Sequence, residues 1–287
     1  MTAAALLRAA SEQLAAAGID TARLDAEVLL GHALGQSRAG LYARLTDEVG
    51  DEAAARFAAL LDRRARREPV AYLTGEQEFW SLAFTVTPDV LIPRPETELI
   101  VSSAMPWRAA LPRGQAPRER RPPGVLDVGT GSGCIAVALA RELPDADITA
   151  VDVSPAALAV ARRNAERHGV ADRIAFVESD VYAGLPADAT FDLIVSNPPY
   201  LAPDDQRSPE LDFEPRAALD AGADGLDVIR RLLAGASARL RPEGLLLVEI
   251  GAGQADAVLA LAAAAGLPAR VEPDLAGIPR LLVARRR

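Results

Sequence analysis

The sequence is poor in cysteine, lysine and aromatic residues, and these shortages exclude several classes of protein. Cys134 is the one cysteine among 287 residues, so a fold stabilised by disulfides is excluded. There is no lysine, and 31 arginines against 40 acidic residues give a net charge of -9, which disfavours nucleic acid as a general partner. No apolar run reaches the roughly 18 residues that a membrane-spanning helix needs.

The remaining composition is that of a globular protein, since half of the residues are hydrophobic and a quarter are charged. The first residues lack the charged lead-in of a signal peptide, and Glu12 soon interrupts the apolar segment. We therefore expect a cytoplasmic protein that has no membrane partner and no direct contact with nucleic acid. We also expect a monomer.

Hydrophobic periodicity divides the chain into three parts. Residues 1–75 carry apolar side chains at helical spacing, with glycines where helices should end, which predicts a helical domain. Residues 76–98 alternate between apolar and polar positions and predict a hairpin that links two domains. Residues 99–287 form the second domain, in which the Pro-, Arg- and Gly-rich stretch 104–124 predicts an exposed, mobile connector.

Two features of the first 100 residues leave alternatives open. The arginine run Arg63–Arg67 either complements the dipole at a helix end and faces solvent, or contacts an acidic or RNA-bearing partner. The aromatic side chains near the hairpin either pack a joint between domains or also line a ligand pocket. These aromatic residues are Tyr72, Phe79, Trp80 and Phe84.

After residue 124, short apolar strands alternate with helical segments. The predicted strands are 125–128, 148–151, 174–177, 191–195 and 245–250, and the helices between them are 134–143, 155–168 and 226–240. Such alternation is typical of an α/β domain with a parallel sheet that is covered by helices on both faces.

A glycine loop follows the first of these strands. Gly129-Thr130-Gly131-Ser132-Gly133 ends a strand and opens a helix, so its backbone can approach a ligand closely. Asp152 ends the next strand about 20 residues later, where an acidic side chain accepts hydrogen bonds from ribose hydroxyls. Together these residues indicate a cofactor that contains adenosine.

The spacing of the loop discriminates between such cofactors. A dinucleotide fingerprint reads G-x-G-x-x-G and holds a pyrophosphate, whereas this loop reads G-x-G-x-G and follows Asp127. A carboxylate there is unfavourable beside a diphosphate and suits the ammonium of a methionine moiety. S-adenosylmethionine is therefore favoured over NAD(P), with a glycine turn that binds no ligand as the remaining alternative.

The fourth strand ends in Asn197-Pro198-Pro199-Tyr200, at the edge of the sheet where ligands bind in such folds. The prolines fix the backbone, so the Asn197 side-chain oxygen and the Pro198 carbonyl can face one point as rigid acceptors. Tyr200 adds a flat apolar wall. Two acceptors that hold the hydrogens of an amide or amino nitrogen orient its lone pair and stabilise the positive charge that grows during methylation.

These motifs, together with others, resemble those of the protein-(glutamine) methyltransferases that modify peptide chain release factors. The similarity covers nearly the whole chain, and Leu91-Ile92-Pro93-Arg94-Pro95-Glu96-Thr97-Glu98 is its most specific part. It also includes the segments 72–75, 78–82 and 214–219. The resemblance implies an N-terminal helical domain that docks the substrate and a Rossmann-like, S-adenosylmethionine-dependent methyltransferase domain. It further implies methylation of the glutamine amide in the Gly-Gly-Gln motif of class 1 release factors, in support of translation termination.

The resemblance also assigns residues. Gly129 to Gly133, Asp152 and Asn197 would hold the cofactor, and Asn197 to Tyr200 would bind the substrate glutamine, with Asn197, Pro198 and Tyr200 as catalytic residues. In this family a tryptophan often follows the acidic residue after the third strand, whereas here Asp180 precedes Val181. Val181 could pack against the adenine and Asp180 could bind its amino group.

The sequence gives weaker evidence of a catalytic or binding role for the other candidate residues. Cys134 is expected to be a small buried side chain, and no metal-ligand spacing is present. Glu96 and Glu98 either order a loop over the site or cap a helix. Two other functions remain as alternatives. A nucleic-acid amino methyltransferase could use the same tetrapeptide, but the net charge of -9 disfavours it. A binding module without turnover is disfavoured by the intact tetrapeptide.

Overall fold

A computed structural model describes residues 1–110 and 121–287 of the protein. The chain separates into two compact units. The first consists of Met1–Glu76 and Arg207–Phe213, and the second of Gln77–Gln206 and Glu214–Arg287. Among the described residues, no helix combines the length and apolarity that crossing a bilayer requires.

The first unit is a bundle of short helices around one apolar core. Thr2 caps the first helix by accepting a hydrogen bond from the Ala5 N–H, and Gly35 ends the second helix in the left-handed conformation that glycine tolerates. Leu7, Leu14 and Phe57 are buried in its core. The helices are α1 (Ala3–Ala16), α2 (Ala22–Leu34), α3 (Arg38–Tyr42), α4 (Asp51–Ala65) and α5 (Val70–Thr74).

The arginine run at the end of α4 is tied to acidic groups of the same unit. Arg64 is buried and binds Asp25 at 2.7 Å, and both Arg64 and Arg67 bind the Glu210 carboxylate at 3.2 and 3.1 Å. Arg63 pairs with Glu68 at 2.5 Å. The prediction of a solvated face is therefore wrong for Arg64, because Asp25 is a buried carboxylate that needs a cationic partner.

The second unit contains the predicted α/β sheet. A hairpin of β1 (Glu76–Phe79) and β2 (Leu82–Thr85) precedes a short 3-10 turn at Pro95–Thr97. The sheet strands are β3 (Gly124–Val128), β4 (Asp147–Asp152), β5 (Ile174–Glu178), β6 (Phe191–Ser196), β7 (Leu240–Glu249), β8 (Ala269–Pro273) and β9 (Pro279–Arg285). The helices are α6 (Glu98–Ala110), α7 (Cys134–Glu142), α8 (Pro155–Arg167), α9 (Asp227–Arg239) and α10 (Ala255–Ala264).

The seven strands of the sheet lie in the order β5-β4-β3-β6-β7-β9-β8. β3 to β7 are parallel, and β8 and β9 add an antiparallel edge. The chain runs outward from β3 to β5 and then returns to β6, so β3 and β6 are neighbours at the point where the strand order reverses. Ligands bind outside the carboxyl ends of strands at such a point, which places the glycine loop and Asn197 together. This architecture confirms the predicted Rossmann-like α/β fold.

The hairpin buries its aromatic residues in the core of the second unit. Phe79 and Phe84 are fully buried and meet edge to face, with ring centroids 6.1 Å apart. Trp80 and Ser81 form the tight turn, and both have the positive φ angles that a two-residue hairpin turn requires. These side chains therefore pack the hairpin against the core of the second unit.

The predicted connector at 104–124 is wrong in its first part. Residues 104–110 belong to helix α6, in which Ile100, Val101 and Ala104 are buried against the sheet core. Their helical spacing outweighs Pro106, which lies inside the helix. Residues 111–120 lie outside the described part of the chain.

Candidate functional site

A cavity of about 210 Å³ opens at the carboxyl ends of β3 and β6 in the second unit. Every predicted site residue except Gly133 and Tyr200 lines it. From the Leu91–Glu98 motif, Leu91, Pro93 and Thr97 also contribute to the wall. The predicted residues on the wall are Gly129, Thr130, Gly131, Ser132, Asp152, Asp180, Val181, Asn197, Pro198 and Pro199.

The glycine loop is held against the neighbouring strand. The N–H groups of Gly129 and Thr130 both donate to the Val151 carbonyl, at 2.8 and 2.9 Å. Gly129 and Gly131 adopt positive φ angles of 73° and 54°, and a Cβ atom there would meet nothing within 4 Å, so backbone conformation is the reason for glycine. Gly133 lies behind the cavity, where a Cβ atom would come within 3.0 Å of Ala161 on α8.

Asp152 is oriented by backbone donors on both sides of its carboxylate. One oxygen accepts from the Gly131 N–H and the other from the Ser154 N–H, each at 2.9 Å. Burial raises the pKa of Asp152, whereas these backbone hydrogen bonds lower it. The carboxylate is thus fixed at the cavity wall with lone pairs left to accept further hydrogen bonds, as a ribose would require.

Asp127 lies beneath the loop, is fully buried, and does not line the cavity. Its Oδ2 accepts from the Thr130 hydroxyl at 2.6 Å, and this bond and the backbone N–H of Ala136 favour the ionised form of the carboxyl. Burial raises the pKa of Asp127 to about 7. Cys134, at the start of α7, is also buried, and its thiol pKa is raised to about 12, as expected for an unreactive side chain.

The segment after β5 has an unusual backbone at the cavity. Val181 is buried and has a φ angle of 53°, which is rare for a β-branched residue. The Ser179 hydroxyl holds this turn, since it donates to the Val181 carbonyl and accepts from the Gly184 N–H, each at 2.9 Å. Asp180 forms an ion pair with Arg231 at 2.5 Å, and both side chains are exposed.

The tetrapeptide after β6 contains a buried side-chain acceptor that no described residue satisfies. The Ser196 hydroxyl donates to the Val128 carbonyl at 2.7 Å, which ties the ends of β6 and β3 together. Asn197 Nδ2 donates to Thr97 Oγ1 at 2.9 Å, whereas the buried Asn197 Oδ1 has no partner within the described parts of the chain. Tyr200 lies off the cavity wall; its carbonyl accepts from Gln254, and burial raises its pKa to about 12.

Three residues that position the site were not singled out from the sequence. Thr97 donates to Glu249 Oε2 at 2.7 Å, and both residues are buried. Glu214 is a buried carboxylate that accepts from the Ile92 N–H at 3.0 Å and from Arg94, which fixes the loop before Thr97. Thr97 and Glu214 lie in the motifs that carried the family resemblance, which was the available signal for two of the three.

Glu98, in contrast, has a structural role. Its Oε1 accepts from the Trp80 N–H at 2.7 Å, so it fastens the hairpin to the start of α6. Glu96 lies in the 3-10 turn that precedes this helix. Neither residue lines the cavity.

Comparisons with known proteins agree with this architecture. Residues 5–75 match a family model described as the PrmC N-terminal domain, and residues 116–210 match the methyltransferase small domain. Among solved structures, a methyltransferase from Pyrococcus furiosus is 19% identical with a TM-score of 0.54 and covers 78% of this chain and 98% of its own. The catalytic domain of hMettl16 is 18% identical with a TM-score of 0.55, over 78% and 82% of the two chains. At these identities the structures show a shared fold.

Curated relatives are far more similar. A release factor glutamine methyltransferase of Cereibacter sphaeroides is 50% identical over 99% of both chains. Proteins of the same name from Moorella thermoacetica and Deinococcus radiodurans are 46% and 43% identical, over 100% and 98% of this chain and 99% and 97% of theirs. The predicted resemblance is confirmed, and the chain belongs to the release factor glutamine methyltransferase family.

Proposed function

We propose that the protein transfers a methyl group from S-adenosylmethionine to the side-chain amide nitrogen of a glutamine in peptide chain release factors. The observation that carries the proposal is the buried Asn197 Oδ1, an acceptor without a partner among the described residues, on the wall of the cavity beside the glycine loop. The names of relatives that are up to 50% identical support the same reaction. Within release factors, the Gly-Gly-Gln motif of class 1 proteins is the proposed target, and support of translation termination in the cytoplasm is the proposed role.

The residues around the cavity fit S-adenosylmethionine. Asp152 is oriented to accept hydrogen bonds from the ribose, and Gly129 and Gly131 keep the loop free of side chains where the ligand would approach. The Asp127 carboxylate, buried beneath the loop, would favour the positive charge of the methionine ammonium from behind the cavity wall. Val181 would pack against the adenine, with Asp180 beside it. When bound, the cofactor supplies a methyl group that its sulfonium makes electrophilic.

The protein's own residues would prepare the amide nitrogen for attack. An amide nitrogen is a weak nucleophile, because its lone pair is delocalised into the carbonyl. Asn197 Oδ1 and the Pro198 carbonyl would accept its two hydrogens, favour a pyramidal nitrogen and stabilise the positive charge that grows there. Pro199 would keep this backbone rigid, and Tyr200 would support the glutamine site. Precise alignment supplies much of the remaining rate, and the proton leaves afterwards to water, so no strong base is needed.

The helical domain of residues 1–75 would dock the release factor. Leu24 is an exposed apolar side chain of this unit, and Leu275 is an exposed leucine of the other unit. Leu24→Ser should raise the Michaelis constant for an intact release factor but not for a short Gly-Gly-Gln peptide, and Leu275→Ser should change neither. Equal Michaelis constants for Leu24→Ser and the wild type would remove Leu24 from the docking surface. We further propose that the protein acts as a monomer, which light scattering would test.

The proposed function is tested by incubating the wild-type protein with isotopically labelled S-adenosylmethionine, a purified release factor and ribosomal RNA. Mass spectrometry should locate the label on the glutamine of the Gly-Gly-Gln motif. A release factor with asparagine in place of that glutamine should remain unlabelled. Label in the RNA, or on another residue of the release factor, would overturn the proposal.

A further inference from the structure

Two buried side chains, Thr97 and Glu249, and the half-buried Asn197 form a hydrogen-bonded network that ends at the cavity. The Thr97 hydroxyl lies 2.7 Å from Glu249 Oε2, at the end of β7. Asn197 Nδ2 lies 2.9 Å from the same hydroxyl oxygen. Thr97 and Glu249 are each only 2% exposed, so solvent cannot easily replace either partner. The network therefore connects a buried carboxylate to the residue that presents the free acceptor.

The number of available hydrogens fixes which group donates and which accepts in each of these two hydrogen bonds. A threonine hydroxyl has one hydrogen, and an ionised carboxylate can only accept. Thr97 must therefore give its hydrogen to Glu249, and its oxygen can only accept from Asn197. Asn197 must turn its NH₂ group toward Thr97, which leaves Oδ1 as the atom without a partner. The reverse orientation would place two oxygens without a hydrogen against each other.

We propose that Thr97 and Glu249 are positioning residues that set which atom Asn197 offers to the substrate amide. This inference rests on the proposed function for what Asn197 binds, and on the three-residue geometry for how Asn197 is oriented. With Oδ1 offered, Asn197 accepts a hydrogen from the substrate amide. With the amide group rotated by 180°, Asn197 would present a donor to a donor, and the substrate nitrogen would lose one of its two acceptors.

Thr97 donates to Glu249, and Asn197 to Thr97, only while Glu249 is ionised. When protonated, Glu249 donates to Thr97, and the hydroxyl hydrogen of Thr97 becomes available to Asn197 Oδ1, so the rotated amide becomes favourable. Burial, opposed by the Thr97 hydrogen bond, raises the pKa of Glu249 to about 7. The titratable and charged groups that act on this carboxyl from other elements are Arg280, Glu96, Arg94, Tyr200 and Cys134. The arginines favour the ionised form, and Glu96 opposes it.

Thr97→Val tests the role of these hydrogen bonds directly, because valine keeps the shape of the side chain and removes the hydroxyl. We expect kcat for the release factor to fall by roughly 100-fold, with little change in its Michaelis constant. The melting temperature should fall as well, because Glu249 and Asn197 each lose a partner, so kcat is measured well below it. Thr97→Ser should restore most of kcat, since it returns the hydroxyl. Thr149→Val is the matched control: this threonine lies in β4, away from the cavity wall, and should retain wild-type kcat. Equal kcat for Thr97→Val and Thr149→Val would overturn the proposal, as would failure of serine to restore it.

Glu249→Gln tests whether the charge of Glu249 sets the orientation of Asn197, and the measurement is the dependence of kcat on pH. The wild-type kcat should fall as the pH drops through about 7, because protonation releases the orientation of Asn197. In Glu249→Gln this acid limb should disappear and kcat should stay low, since a glutamine offers Thr97 both a donor and an acceptor. Glu243→Gln, on the same strand with its side chain 66% exposed, should keep the wild-type profile. An unchanged acid limb in Glu249→Gln would overturn the assignment.

A measurement that needs no turnover separates this inference from the proposed function. Nitrogen-15 NMR of the Asn197 side chain should show one amide proton protected from solvent exchange in the wild type and in Thr97→Ser. The same proton should lose its protection in Thr97→Val. If the wild type methylates no release factor but this pattern is found, the proposed function fails and the positioning role stands. A proton that remains protected in Thr97→Val would refute the positioning role whatever the substrate.

Discussion

The side-chain amide of Asn164 pairs with the backbone of Thr85 as a neighbouring strand would. Its Oδ1 accepts the Thr85 N–H at 2.8 Å, and its Nδ2 donates to the Thr85 carbonyl at 2.9 Å. Nδ2 also donates to the Ser132 carbonyl of the glycine loop at 2.8 Å. One fully buried side chain on α8 thus holds the edge of the hairpin and the back of the candidate cofactor site.

Asn164→Ala should destabilise the protein strongly, because it leaves three backbone groups of Thr85 and Ser132 without a partner. We expect the free energy of unfolding in urea to fall by about 3 kcal/mol, given that each buried unsatisfied group costs about 1–3 kcal/mol. Arg163→Ala, at an exposed position next to it on α8, is the control and should change stability little. A loss in Asn164→Ala no larger than that of the control would show that these hydrogen bonds are energetically neutral.

Asn197→Ala should remove methyl transfer without unfolding the protein. The substitution deletes the free acceptor and leaves β6, which ends at Ser196, intact. Turnover should fall by roughly 10²-fold or more, as for the loss of one preorganised hydrogen-bonding group at a reacting centre. Initial rates with a release factor give the turnover, and the melting temperature reports on the fold. A variant that folds normally and turns over at near-wild-type rates would reject the role of Asn197.

Local patterns made much of the site predictable. The five parallel strands were visible because each is a short apolar run, and Gly129 to Gly133 and Asn197 to Tyr200 directly follow two of them. The antiparallel strands β8 and β9 and helix α10 were not predicted. In β8 the burial pattern mixes exposed and intermediate positions without a clean alternation, so periodicity alone could not identify it.

Contacts between distant residues were beyond prediction from one sequence. Thr97 and Glu249 are 152 positions apart, and nothing in the local sequence of either residue pairs them. The same holds for Arg64 and Glu210, 146 positions apart, which place Arg207–Phe213 in the helical unit. The arginine run suggested a solvated face because charge patterns report composition, whereas burial of Arg64 depends on where Asp25 lies.

Arg64→Met should destabilise the helical unit, because it leaves the Asp25 carboxylate buried without its cation. We expect a loss of about 3 kcal/mol in the free energy of unfolding, the cost of breaking a buried ion pair by removing one partner. The double variant Arg64→Met with Asp25→Leu should recover much of this loss, since no uncompensated charge remains in the core. Urea denaturation of the two single variants and the double variant measures the coupling. Additive losses in the double variant would show that the pair contributes no interaction of its own.

Asp127 should couple cofactor binding to proton release. Burial, the largest influence, raises the pKa of Asp127 to about 7, so near that pH part of the protein holds it neutral. A bound ammonium favours the ionised carboxylate and lowers this pKa, so binding should release a proton and affinity should rise as the pH increases through about 7. Calorimetry with S-adenosylmethionine in two buffers of different ionisation enthalpy measures the protons released.

Asp127→Asn provides the comparison, because it keeps an acceptor for the Thr130 hydroxyl and cannot ionise. In this variant the proton release attributed to Asp127 should vanish and the affinity should be weaker and flat across the same pH range. Proton release equal to that of the wild type would place the titrating group elsewhere, and Glu249, whose pKa is also about 7, would be the next residue to substitute. Glu249 lies behind Asn197, whereas Asp127 lies behind the glycine loop. Glu249→Gln should therefore change the acid limb of turnover, and Asp127→Asn should change the pH dependence of cofactor binding.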